Sequence, residues 1–237
     1  MKRIALIKTG STIPAIKKQQ GDFELWFSEG LGDSDFLQVD VFEGDVLPEA
    51  NQLSAIVITG SPAMVSDRED WSERTAAWLA EAVGQGVPTL GICYGHQLLA
   101  HALGGLVGPN PKGRQIGTVQ VNLLDAARHD LLLGNLPESF KAQASHSEVV
   151  LRLPKGATRM ATSPLDNNFA IRFAEKAWGI QFHPEFSRLV MSDYIKYRGD
   201  ALLEEGLNPR VLSRQVVETT AANTVLNTFR QLIHAMG

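Results

Sequence analysis

The sequence predicts an α/β protein with an open, mostly parallel central sheet, flanking helices, a small antiparallel excursion and a helical C-terminal extension. Three observations carry this expectation. Strand-like and helix-like segments alternate from Arg3 to Leu103, short strands separated by turns follow from Thr118, and apolar residues recur at helical spacing from Leu189 onward. Arg3 to Lys8 reads as the first strand, Asp22 to Leu31 as a helix, and Phe36 to Phe42 as an alternating second strand. Ser54 to Thr59 is the third strand. Trp71, Thr75, Trp78, Leu79 and Ala82 share a helical face within Trp71 to Val83, which leads into Val87 to Ile92, a buried strand; Tyr94 to Leu103 is again helical. Strands joined by helices in this order run parallel, and such a sheet places its site at the strands' carboxyl ends. The excursion comprises Val119 to Leu123, Phe140 to Ser145, Ala157 to Thr162, Phe169 to Phe173 and Ala177 to Phe182. Leu189 to Leu203 and Val211 to Met236 read as two long amphipathic helices, separated by Gly206-Leu207-Asn208-Pro209. Residues 9–20 and 109–117 have the polar, glycine-containing composition of lids or of plain solvated loops. No repeat or linker interrupts the chain, so 1–237 reads as a single domain with 186–237 as its helical extension.

A chain of 237 residues, 44% hydrophobic, can bury one substantial core. Twenty-two Lys and Arg against 26 Asp and Glu give a net charge of −4. No Lys/Arg cluster or aromatic–basic interleaving marks a nucleic-acid surface, so no nucleic-acid partner is expected. Lys2-Arg3 begins like a signal peptide, but Ile4 to Ile7 is too short for its apolar core, and no later run reaches the length of a membrane span. No membrane partner is therefore expected. A single cysteine excludes an internal disulfide, as in a reducing cytoplasm, where the protein is expected to reside. The six histidines show no paired zinc-ligand spacing, so no metal and no other cofactor is expected.

That one cysteine lies in Gly91-Ile92-Cys93-Tyr94-Gly95, where a strand-like run ends and a helix begins. A lone cysteine is by itself most often a small core residue. Here a glycine on either side lets the backbone turn sharply, the arrangement of a nucleophile elbow with sulfur in place of oxygen. The following helix directs unpaired N–H groups toward the sulfur. A cysteine nucleophile needs a base, and the base needs a third group to orient it. Trp178 to Phe182 alternates like a strand and delivers His183-Pro184-Glu185; residues two apart on extended chain share a face, so Glu185 can hold the His183 imidazole.

Gly-Ile-Cys-Tyr-Gly-His-Gln at 91–97, followed far downstream by Gly-Ile-Gln-Phe-His-Pro-Glu at 179–185, resembles the class I glutamine amidotransferases. The resemblance implies a catalytic triad of Cys93, His183 and Glu185. Thr59-Gly60-Ser61-Pro62 is similar to the family's first glycine-rich turn and implies an oxyanion hole from the backbone of Gly60, Ser61 and Tyr94; Ser61 stands where the family often has glycine. Ser145-His146-Ser147 resembles the family's Ser-His-Gly segment, and Gln97 its substrate-binding glutamine, so all four residues are expected around the substrate. Arg114-Gln115-Ile116-Gly117 resembles a family segment that often carries Glu at the position of Gln115.

The implied function is hydrolysis of a small-molecule substrate, glutamine or a γ-glutamyl amide, through a cysteinyl thioester with release of ammonia or an amine. A γ-glutamyl peptidase and, from a different class, a catalytically silent α/β binding or regulatory module are the alternatives. Lys8-Thr9-Gly10, the 21–24 segment and the tail from Tyr197-Arg198 to Leu207-Asn208-Pro209 resemble stand-alone members related to the amidotransferase domain of guanosine monophosphate synthetase. No Gly-x-x-x-x-Gly-Lys-Ser/Thr phosphate loop is present, so an ammonia-accepting synthetase subunit would be a separate partner. The exposed faces of the C-terminal helices suit a homodimer.

Overall fold

In the computed structural model, residues 2–32 and 35–236 are described; positions 1, 33, 34 and 237 of the expected domain lie outside the described residues. The elements are, in chain order, β1 (Arg3–Lys8), α1 (Pro14–Gln20), α2 (Phe23–Leu31), β2 (Leu37–Asp40), β3 (Leu53–Ile58), α3 (Asp70–Gly84), β4 (Thr89–Ile92), α4 (Tyr94–Ala102), β5 (Leu106–Pro109), β6 (Gln115–Leu123), β7 (Ser139–His146), β8 (Glu148–Arg152), β9 (Thr158–Thr162), β10 (Ala170–Ala174), β11 (Ala177–Ile180), α5 (Arg188–Tyr197), α6 (Gly199–Glu204), α7 (Pro209–Gln215) and α8 (Thr220–Met236).

Ile4-Ala5-Leu6-Ile7 is apolar on both faces, and β1 accordingly lies inside a nine-stranded sheet of order β2-β1-β3-β4-β11-β10-β9-β6-β7. The first five strands pair in parallel and the last four extend the same sheet antiparallel. The predicted α/β architecture is therefore present, with the excursion joined edge to edge to the main sheet. Two apolar layers cover its faces. Phe27, Trp178, Phe229 and Val225 belong to one, and Ile58, Leu79, Leu98 and Tyr94 to the other. Among the described residues no helix is long and apolar enough to cross a membrane.

Several boundaries differ from expectation. The second strand ends at Asp40, because Val41–Glu43 closes into a 3-10 turn. Strands β5 and β8 pair with each other as a separate two-stranded sheet that the sequence pattern did not reveal. The two long C-terminal helices are each divided. The first breaks at Arg198, which ends α5 and begins α6, and the second at Val216, whose neighbour Val217 donates its N–H to Thr118 Oγ1.

Both predicted loops are partly built into regular elements. Pro14–Gln20 is helical, with Ile16 buried, and the Gln115–Gly117 end of the other belongs to β6. The 9–20 segment is also tied down by polar contacts: the Thr12 N–H donates to Asp22 Oδ1, and Thr12 Oγ1 lies 2.7 Å from the Tyr194 hydroxyl.

Asp22 is the knot of this region. Its buried carboxylate accepts from the N–H of Phe23, capping α2, and pairs with Lys8 and Lys17, both at 3.0 Å, while Lys8 also meets Glu24 at 2.7 Å. Burial would raise the Asp22 pKa, but the Thr12 N–H, the Lys8 ammonium, the Phe23 N–H and Lys17 outweigh it and bring it down to about 2. A carboxylate depressed in this way stabilises the fold above its unfolded pKa of 3.8 and loses that contribution as pH falls toward 2. Asp22→Asn should cost about 3 kcal/mol at neutral pH, near the low end for breaking a buried pair because Glu24 still faces Lys8. Urea unfolding at pH 7 and in the acid range should show the variant losing less stability on acidification than the wild type.

Candidate active site

Register brings the predicted site residues together. In the parallel β4–β11 pair Ile92 is opposite Ile180, so the chain runs on to Cys93 from one strand and to His183 from its neighbour, at the same edge of the sheet. In the β3–β4 pair Ile58 is opposite Gly91, which sets Gly60 beside Cys93 by the same logic. Two backbone bonds lock this arrangement: Cys93 N–H donates to Ile180 O at 2.9 Å, and His183 N–H donates to Gln143 O of β7 at 2.8 Å.

Cys93 caps α4 with φ 51° and ψ −100°, one of two non-glycine residues with positive φ among those described, the other being Arg68. Such a conformation costs on the order of 1–3 kcal/mol and persists only where the surroundings impose it. The flanking glycines serve close packing and not, as their position suggested, the unusual dihedral. A Cβ on Gly91 would come within 2.4 Å of Gly95 O, and one on Gly95 within 2.7 Å of Ile58 O. Ser61, for its part, does not need a positive φ, so serine fits this turn without backbone strain. Its hydroxyl donates to Thr9 O at 2.6 Å, while Thr9 Oγ1 lies 3.0 Å from Gly60 O.

The imidazole of His183 is enclosed. Its Nδ1–H donates to Glu185 Oε1 at 2.7 Å, leaving Nε2 on the side of Cys93, and its ring stacks on Phe186 with centroids 4.0 Å apart. Burial alone would lower the His183 pKa; the negative charges of Glu185 and Cys93 outweigh burial and raise it to about 10. Asn223, at the start of α8, donates its side-chain amide to Pro184 O at 2.6 Å and so holds the turn carrying Glu185. The Cys93 Sγ sits 3.8 Å from Ser145 O, which brings the third predicted segment to the sulfur.

Around Cys93 a narrow cleft is lined by Ser61, Met64, Gln97, Ser147, Glu148 and Arg198, among others. Gln97 commits both hydrogens of Nε2, to Glu148 O at 2.8 Å and Gln181 Oε1 at 3.0 Å, so it offers the cleft its carbonyl oxygen. His146 is buried and donates Nδ1–H to Glu148 O at 2.9 Å, with Gln115 3.2 Å from Nε2. Burial first, and then the charge of His183, push its pKa down to about 4, which keeps it neutral beside its charged neighbour. Ser147 turns its hydroxyl to Met64. His96 is buried against Phe173, with its pKa pushed down to about 3 by burial, and His101 pairs with Glu73 on the surface.

Residues absent from the sequence-based set complete the site. Glu148 is buried with Oε1 unpartnered, its other oxygen accepting from the Ser66 N–H at 3.3 Å. Arg198, Phe186 and Asn223 are the others. Glu148 and Phe186 directly follow the two histidine motifs, a positional signal that was available in the sequence. Arg198 and Asn223 reach the site only through the packing of α5 and α8.

Fold and site together define an α/β protein with a cysteine at a strand-to-helix elbow and a carboxylate-held histidine beside it. The chain belongs to the glutamine amidotransferase class-I family, whose model matches residues 33–196. It is 36% identical over 161 residues to a glutamine-hydrolysing GMP synthase of Aeropyrum pernix, a match covering 66% of this chain and 29% of that protein. To a subunit of the glutamine-hydrolysing GMP synthase of Methanoregula boonei it is 32% identical over 157 residues, covering 66% of this chain and 78% of that relative. A solved glutamine amidotransferase from Thermotoga maritima superposes with a TM-score of 0.76 at 21% identity, covering 98% of each chain. One from Methylobacillus flagellatus gives 0.75 at 21% identity, covering 99% of this chain and 95% of that one. These structures share the fold.

A Cβ at Gly60 would lie 2.9 Å from Cε1 of His183, so the turn and the imidazole exclude any larger residue there. Gly60→Ala should displace the ring and lower turnover about a hundredfold, the usual scale for misplacing a reacting group by an ångström, with little change in thermal midpoint. A raised His183 pKa stabilises the fold below about 6.5 and loses that contribution as pH rises toward about 10. Removing the Glu185 charge lessens the rise, so Glu185→Gln should lose less stability than the wild type between pH 7 and about 10 in denaturant titrations.

Proposed function

We propose that the chain acts as a single amidotransferase-type domain that hydrolyses the γ-amide of glutamine or a γ-glutamyl compound, with Cys93, His183 and Glu185 as its triad. The observation carrying this reading is the His183 ring held at Nδ1 by Glu185, 2.7 Å away, with the strained Cys93 on its other side. Backbone strain of this kind, beside an imidazole held by two acidic partners, argues against a catalytically silent module.

The chemistry follows from the roles. Cys93, as a thiolate beside the protonated His183, attacks the γ-carbonyl carbon, forming the S–C bond while the carbonyl electron pair moves to oxygen. Backbone N–H groups of the Gly60-Ser61 turn and of Tyr94, the first residue of α4 and so without an intrahelical acceptor, receive that oxyanion. As the carbonyl re-forms, the C–N bond breaks and His183 hands its proton to the departing nitrogen. Ammonia or an amine leaves, and a γ-glutamyl thioester remains. Water then loses a proton to His183 and attacks the thioester; the C–S bond breaks, glutamate departs and the cysteine is restored.

The substrate's ammonium group is assigned to the unpartnered Oε1 of Glu148 and the free carbonyl of Gln97, and its α-carboxylate to the backbone of Ser145-His146-Ser147. The names of the two relatives support glutamine as one substrate, and that of the Methanoregula boonei relative, a subunit, supports a synthetase partner that accepts the ammonia.

Glutamate release from glutamine, γ-glutamyl dipeptides and γ-glutamylated amines tests this reading. Cys93→Ala should abolish release while keeping the fold, and Glu185→Gln should slow it by on the order of a thousandfold, less than loss of the nucleophile. Wild-type-like turnover by the alanine variant would remove Cys93 from the mechanism.

A further inference from the structure

Two arginines reach the cleft, and their situations differ. Arg114 is held in a fork by Glu205, at 2.7 Å from Nε and 2.9 Å from a terminal nitrogen. Arg198, at the junction of α5 and α6, lines the same cleft half-buried, and its Nε is shielded from solvent without any partner. Burial and the like charge of Arg114 both act against the Arg198 cation. A shielded guanidinium beside a second one is an arrangement that an anion would complete, and the planar fork matches a carboxylate in two hydrogen bonds.

The connectivity indicates which carboxylate. Arg198 ends α5 one helical turn beyond Tyr194, whose ring lies 4.9 Å from that of Phe186, and Phe186 stacks on His183 at 4.0 Å, so the arginine stands at the end of the cleft from which His183 would deliver its proton to the departing nitrogen. The Cys93 charge acts on Arg198, whereas the arginine acting on His146, in the segment assigned to the amino-acid head, is Arg114. Resting on the hydrolytic reading above, we propose that Arg198 receives a carboxylate on the amine half of the substrate. γ-Glutamyl amino acids and peptides are then the substrate class the cleft prefers, over glutamine.

The test compares kcat/KM for γ-glutamylglycine and γ-glutamylglycinamide, which differ only in that carboxylate, using the wild type, Arg198→Gln and Arg198→Lys. The wild type should prefer the acid roughly 10- to 100-fold, the effect of one charged hydrogen-bonded contact. Arg198→Gln should bring the ratio close to one, and Arg198→Lys should retain part of it, since lysine keeps the charge without the fork. Equal losses on both compounds would assign Arg198 to the fold or to the α-carboxylate and overturn the proposal, as would a wild-type ratio near one. Cys93-dependent turnover of glutamine alone would also overturn it while leaving the hydrolytic reading standing; no Cys93-dependent turnover of any of the three would end both.

Discussion

The parallel register of β4 and β11 is the constraint on which the site depends. Ile92 and Ile180 are paired neighbours, so the chain leaves both strands at the same edge, and a residue or two of extension brings the sulfur and the imidazole together. A slip of one residue would turn every side chain of the strand to the opposite face and separate them. The sheet is built to resist such a slip. Leu90, Ile92, Trp178 and Ile180 are almost wholly buried, and the Cys93 N–H is itself bonded to Ile180 O. Stability of the core and geometry of the site are therefore the same property at this point, and the glycines at 91 and 95 are small because the strand and helix of the elbow touch there.

Electrostatics then act within that geometry. His183 is enclosed by Phe186, Gly60 and Glu185, a setting that by itself opposes a charged imidazole. Glu185 reverses the balance, and its own second oxygen is shielded without a partner, so the carboxylate depends on the imidazole as much as the imidazole on it. His146, with only backbone and amide partners, is driven the other way and stays neutral. Two histidines close in space are thus set apart in charge by one carboxylate, which supports His183 over His146 as the proposed proton carrier.

The legible parts of the chain were those whose signal is local. β1 and α2 match their predicted spans because an unbroken apolar run and an aspartate cap before a helix need no tertiary context. The Cys93 and His183 motifs were readable because their punctuation by Gly and Pro is itself the structure. Leu106-Val107-Gly108-Pro109 offered too short and too broken a pattern to read as a strand, and it becomes one only by pairing with β8. The break between α7 and α8 is held by Thr118, far away in sequence, and so could not be seen from the helix. Arg198 and Asn223 were missed for a related reason: an ordinary polar side chain outside the motifs acquires meaning from the partner it has, or lacks, after folding.

The groups that hold the site follow a pattern of their own. The family-matched span 33–196 contains all the groups proposed to do chemistry, yet several groups that hold them lie outside it. Thr9 braces the Gly60-Ser61 turn, Thr12 bonds to Tyr194 on α5, Asp22 ties this segment to β1, and Asn223 grips Pro184 from α8. A turn carrying a buried carboxylate cannot be secured by apolar packing alone, because its carbonyls need donors. Asn223 supplies one to Pro184, and the other end of the chain does the equivalent for the facing turn. The flanking segments thus complete the hydrogen bonding of the elbow's surroundings, and the same C-terminal helices bring Arg198 to the cleft, so the apparatus that steadies the site also has the means to select what enters it.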